Sequence, residues 1–181
     1  YAQLGESILA ALFFISNFWF WQNSGGYFAG PTDYLPLLHT WSLAVEEQFY
    51  IFFPILLLVM HRVARRWLVP AVLAMVVGSL ILATWATPRM PSAAFYLLPT
   101  RIWELAVGAL LALGLVPANT NKNIREAAAA LGLAAVLLPV FLYERSTAFP
   151  GLAALPPVLG TALIIWAGLE GKTWVGRFLS L

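Results

Sequence analysis

Apolar residues in this chain come in long unbroken runs rather than in alternation with polar ones. Residues 7–32 carry no charge, and 67–88 are charge-free between Arg66 and Arg89. About 20 consecutive apolar residues cross the hydrocarbon core of a bilayer. That length predicts spans at 4–22, 39–60, 67–86, 95–114, 126–142 and 151–169. Each must be helical, because an open strand in lipid leaves its backbone groups unpaired. The continuous runs also fail the alternation expected of a transmembrane barrel. Pro156 and Pro157 are expected to kink or interrupt the sixth span. The predicted fold class is all-α, a multi-pass transmembrane helical bundle of about six spans in a single domain over 1–181.

Basic residues in short loops set the orientation of such a bundle. Arg62, Arg65, Arg66, Lys122, Arg125, Lys172 and Arg177 fall on one side, against Arg89 and Arg145 on the other. Seven against two places the loop 61–66 and the start of the chain on the cytoplasmic side of a cell inner (plasma) membrane. Loop 23–38 then faces outward. Trp19, Trp21, Tyr27, Trp41, Trp67, Trp85 and Trp174 near the span ends read as an interfacial aromatic belt.

Composition agrees with the pattern. The chain is 61% hydrophobic and 10% charged, where a soluble domain has roughly 45–50% and about 25%. Mean hydropathy is +0.83. These values exclude a soluble enzyme domain, a disordered segment and a coiled coil. The net charge of +2 arises from 10 basic and 8 acidic residues. With no basic stripe interleaved with aromatics, no nucleic-acid partner is expected. Cysteine is absent, which excludes disulfides and thiolate metal sites. The chain starts at Tyr1 with no basic lead-in to its first apolar run, so it reads as a piece of a longer protein rather than as a signal peptide.

Two polar stretches inside predicted spans can carry chemistry. The first is His39-Thr40-Trp41-Ser42-Leu43-Ala44-Val45-Glu46-Glu47-Gln48-Phe49-Tyr50. On a helix, His39, Ser42 and Glu46 share one face, while Glu47 turns toward the side of Thr40 and Gln48. A His and a carboxylate on one face can move a proton to or from a hydroxyl. Acids at membrane depth are functional candidates by default. His39, Glu46 and Glu47 are therefore the candidate catalytic residues, with Ser42 beside them. No zinc or other metal site is expected, since His61 lies at the far end of the span. The second stretch runs from Phe95 to Leu105. Arg101 and Glu104 are three apart and can pair, and Thr100 shares the face of Glu104. Ser42, Thr100, Arg101 and Glu104 are the candidate substrate-binding residues, with Arg101 suited to an anionic oxygen. Ser16 and Asn17 suit hydrogen bonding between helices, and Gly108, Gly114 and Gly132 suit close helix packing.

The string from His39 to Tyr50 closely resembles the signature of the membrane-bound acyltransferase family 3, with Ala44 where Ser is common. Phe95-Tyr96, Thr100-Arg101 and Trp103-Glu104-Leu105 resemble its second recurrent block, and Ser16-Asn17 and Tyr27-Phe28 fit the preceding helix and loop. This family includes O-acetylases of lipopolysaccharide O-antigen and other bacterial surface glycans. The resemblance implies acyl-CoA (acetyl-CoA) as donor, membrane lipid around the protein, and a glycan hydroxyl as acceptor. It also implies that a further catalytic His and a donor-binding Arg motif lie upstream of Tyr1, so the chain alone is expected to be inactive. Two other classes suit the same residues, a transporter or channel segment with a polar pathway and a scaffold whose polar groups only join helices. Internal repeats, expected of many transporters, are absent.

Overall fold

Among the residues that the computed structural model describes, 2–23, 37–144 and 146–180, every regular element is helical. Those helices are α1 (Ala2–Leu12), α2 (Ser16–Asn23), α3 (Thr40–Val63), α4 (Leu68–Ala86), α5 (Pro91–Tyr96), α6 (Ile102–Ala112), α7 (Lys122–Leu142), α8 (Leu155–Gly168) and α9 (Trp174–Leu179). Tyr27, Phe28, Arg145 and most of loop 23–38 lie outside the described residues.

The all-helical expectation holds, but the number of membrane-length helices does not. Among the described residues, three helical stretches are long and apolar enough to cross a membrane: Thr40–Val63, Arg65–Ala86 and Lys122–Leu142. Little of their surface is buried, 17% of the apolar window in each, which leaves apolar side chains facing outward as lipid requires. The other three predicted spans are shorter or broken. The first divides between α1 and α2 at Phe13–Ile15, where Phe14 takes a φ of 55°. The fourth divides into α5, a 3₁₀ turn at Leu98–Thr100, and α6. Pro99 explains that division, since proline cannot donate to a continuing helix. In the sixth, Pro156 and Pro157 do not kink a span. They fall in the first turn of α8, where a missing N–H costs nothing.

The chain forms two compact units. The first comprises Tyr1–Leu105 and Ala148–Leu152. Its core is aromatic, built from Phe20, Trp41, Val45, Phe95 and Tyr96 with Trp19, Leu38, Leu98, Leu105 and Phe149 against them. Thr87 on α4 ties the second segment in, its hydroxyl accepting from the Gly151 N–H at 3.1 Å.

The second unit comprises Ala106–Thr147 and Ala153–Leu181. Here α7 and α8 touch backbone to backbone. A Cβ on Gly132 would stand 2.5 Å from the Gly160 carbonyl oxygen and 2.9 Å from Ile164 Cγ1. This is the close approach predicted for Gly132. Gly108 and Gly114 instead have open space around them, and Gly114 sits at φ +68° just past α6. Asn121 caps α7, its side chain accepting from the N–H groups of Asn123 and Ile124. Arg125, counted above with the loop cations, is buried and donates to the Gly171 carbonyl at 3.3 Å.

Candidate active site

The two breaks in the first unit are closed by side chains from neighbouring helices. A helix start leaves backbone N–H groups without partners. At the start of α6, Ser79 on α4 accepts from the Trp103 N–H at 3.1 Å and donates to the Pro99 carbonyl at 2.7 Å. Thr100 lies 2.8 Å from the carbonyls of both Ala94 and Leu97, so its hydroxyl serves the turn itself. At the other break, Gln48 on α3 donates to the Phe14 carbonyl at 2.8 Å and to Asn17 Oδ1 at 2.9 Å. Asn17, fully buried, donates in turn to the Tyr96 carbonyl at 3.2 Å. Ser16 donates to the Thr40 carbonyl at 2.9 Å. Ser16 and Asn17 thus join helices as their sequence positions suggested.

These bonds fix Arg101 at the head of α6. Its Nη2 lies 2.9 Å from Glu104 Oε2, the predicted pair, with side chains only 16% and 17% exposed. Three aromatic rings surround the guanidinium, Trp41 at 5.5 Å and Phe95 and Phe149 at 5.7 Å each. A cation over ring faces is attracted by their quadrupoles, more so when desolvated. Trp41 is therefore not part of an interfacial belt. It is 9% exposed and packs at 4.6 Å on Phe95. The spacing of Trp41 from Arg101, 60 residues along the chain, hid this contact from a one-dimensional reading.

A cavity of about 70 Å³ opens beside the pair, lined by Trp41, Ser42, Val45, Glu46, Arg101, Glu104 and Leu105. Ser42 and Glu46 share a face, as the helical spacing predicted, and meet Arg101 and Glu104 there. His39, Glu47 and Thr100 are not among the lining residues. His39 precedes α3 with an exposed side chain, and its carbonyl accepts from Ser42 Oγ at 3.1 Å. Glu47 is half-buried about 100° further round α3 than Glu46. Among the described residues, buried Arg101 Nη1 and Glu104 Oε1 have no hydrogen-bond partner. Burying such capacity unspent costs roughly 1–3 kcal/mol per group, more where charged. Ser79, Asn17 and Gln48 carry the site's framework, and of these only Asn17 stood out in the sequence.

The fold and cavity define a membrane protein with a caged cation, a hydroxyl and two carboxylates in one small space. The model of an acyltransferase domain matches residues 6–180, and the chain belongs to that acyltransferase family. It is 32% identical over 175 residues to an uncharacterised protein of Haemophilus influenzae, covering 90% of this chain and 71% of the relative. It is 27% identical over 188 residues to a Staphylococcus aureus protein named as a candidate O-acetyltransferase, covering 97% of this chain but 31% of the relative. A Bacillus subtilis protein named as a candidate peptidoglycan O-acetyltransferase is 37% identical over 113 residues, 60% of this chain and 18% of its own length. No solved structure matches the chain.

Proposed function

We propose that this domain transfers an acetyl group from acetyl-CoA to a hydroxyl of a cell-surface or lipid-linked glycan, at the cavity beside Arg101. The observation that carries the reading is the caged Arg101–Glu104 pair sharing that cavity with Glu46 and Ser42. Glu46 forms no ion pair or hydrogen bond with another described residue, so its carboxylate is available to take a proton. In the proposed step the acceptor oxygen attacks the thioester carbonyl carbon while its proton passes to Glu46. The carbonyl oxygen gains negative charge, and the Arg101 guanidinium stabilises it. The C–S bond then breaks, and the CoA thiolate leaves and takes up a proton. Glu104 holds the guanidinium in place, and the aromatic rings keep water from it. His39 and Glu47 have no contact with the reacting atoms in this scheme.

The names of the relatives support O-acetyl transfer, and one of them points to peptidoglycan as acceptor. The three membrane-length helices support an integral protein of a bacterial inner membrane, with 61–66 on the cytoplasmic side. The test is to express the gene that carries this sequence and supply its membranes with labelled acetyl-CoA. Label recovered as a glycan O-ester, lost in Glu46→Gln, is the expected outcome. Wild-type membranes that contain the protein and transfer no label to any glycan refute the reading.

A further inference from the structure

We propose that Val45 and Leu105 set the length of the acyl group this site accepts, and that they favour two carbons over longer chains. The inference rests on the acyl-transfer reading above and concerns what fits at its cavity.

Size is the first argument. One water needs roughly 10–15 Å³ of cavity, so about 70 Å³ holds about five to seven atoms of that size. An acetyl group has three non-hydrogen atoms, and the acceptor's C–O unit brings two more. With the thioester sulfur they make six, so a propionyl chain reaches the upper limit of about seven and each methylene beyond it exceeds the space.

The distribution of chemistry along the walls is the second argument. Ser42, Glu46, Arg101 and Glu104 supply the polar side, which suits the thioester oxygen and the incoming hydroxyl. Trp41 is held against Arg101 and cannot retreat without uncovering the cation. Among the described lining residues, only Val45 and Leu105 are aliphatic. Val45 is one helical turn beyond Trp41 and is 5% exposed, locked in the aromatic core. Leu105 is one turn beyond Arg101 and packs against the same core.

The third argument is that the next apolar cavity along α3 is separate from this one. A larger apolar cavity of about 430 Å³ lies further along α3, lined by Phe49, Phe52, Phe53, Leu98 and Ile102 among others. It shares no lining residue with the small one. A longer acyl chain therefore has ample apolar space nearby and no continuous wall leading to it.

The experiment compares acetyl-, propionyl- and butyryl-CoA as donors, using membranes from cells that express the whole gene. The readout is the ratio of propionyl to acetyl transfer, which does not depend on how much enzyme is present. One surplus methylene in a fitted pocket costs roughly ten- to two-hundredfold in kcat/KM. The wild type should prefer acetyl over propionyl by about tenfold or more. Val45→Ala and Leu105→Ala should each raise the ratio by about tenfold. Leu105 is only half-buried, so Leu105→Ala decides the matter if Val45→Ala does not accumulate. A wild type that takes all three donors equally overturns this inference and leaves the acyl-transfer reading standing. So does an active Leu105→Ala with an unchanged ratio. A wild type that transfers nothing from any donor overturns both.

Discussion

Replacing Asn17 by Leu tests whether the broken helices are held by the hydrogen bonds that join them to α3. The side chains are nearly isosteric, so packing in the core is conserved while two bonds disappear. These are the 2.9 Å bond from Gln48 and the 3.2 Å bond to the Tyr96 carbonyl. A hydrogen bond contributes roughly 0.5–1.5 kcal/mol net in folded proteins, and interhelical bonds in membranes average about 0.6 with a maximum near 1.7. Two bonds therefore give an expected loss of about 1–3 kcal/mol. Gln48→Leu should cost at least as much, since it also strips the Phe14 carbonyl of its partner at the α1–α2 break. The double variant should lose less than the sum, with a coupling of about 0.5–1.5 kcal/mol. The assay is unfolding of the detergent-solubilised protein by a denaturing surfactant, followed by the emission of its 8 tryptophans. An Asn17→Leu protein within about 0.5 kcal/mol of wild type, with no measurable coupling to Gln48, would refute the claim that these bonds hold the breaks.

Three further outcomes are expected. Glu46→Gln keeps shape and removes basicity, so transfer should fall at least about a hundredfold with protein yield unchanged; a collapse in yield with normal specific activity would make Glu46 structural. Arg101→Gln strands Glu104 in a desolvated site, which costs several kcal/mol, so yield and activity should fall together, and normal accumulation of an inactive protein would contradict the caged-pair argument. Gly132→Ala drives a methyl into the Gly160 carbonyl, and thermal unfolding should show a loss of about 1–3 kcal/mol that Gly108→Ala, with open space around it, does not show.

What the sequence disclosed depended on range. Helical spacing alone paired Arg101 with Glu104 and put Ser42 beside Glu46, because residues three or four apart on a helix are neighbours whatever surrounds them. Hydropathy found the apolar segments but overcounted the membrane-length helices. It cannot distinguish a continuous span from one divided at Phe13–Ile15, where the composition stays apolar, or at Leu97–Arg101, where Thr100 and Arg101 sit inside an otherwise apolar window. What permits those divisions is a set of long-range partners. Ser79 reaches Trp103 across 24 residues and Gln48 reaches Phe14 across 34. A serine and a glutamine in apolar helices carry no mark of which distant backbone they serve. The same limit applied to Trp41, whose position near a span end matched an interfacial role. Its burial against Arg101 depends on how α3 packs on the head of α6.

The chain order of these partners has a consequence for biosynthesis. The Phe14 carbonyl is satisfied by a residue made 34 positions later, and Asn17 reaches a carbonyl 79 positions later. At roughly 5–20 residues per second, Gln48 leaves the ribosome about two to seven seconds after Phe14, and Tyr96 about four to sixteen seconds after Asn17. For that interval the Phe14 carbonyl is without the Gln48 partner it has in the fold, and hydrocarbon offers no replacement. The α1–α2 break therefore becomes cheaper to bury once α3 is made, because Gln48 then satisfies the carbonyl that the break leaves open.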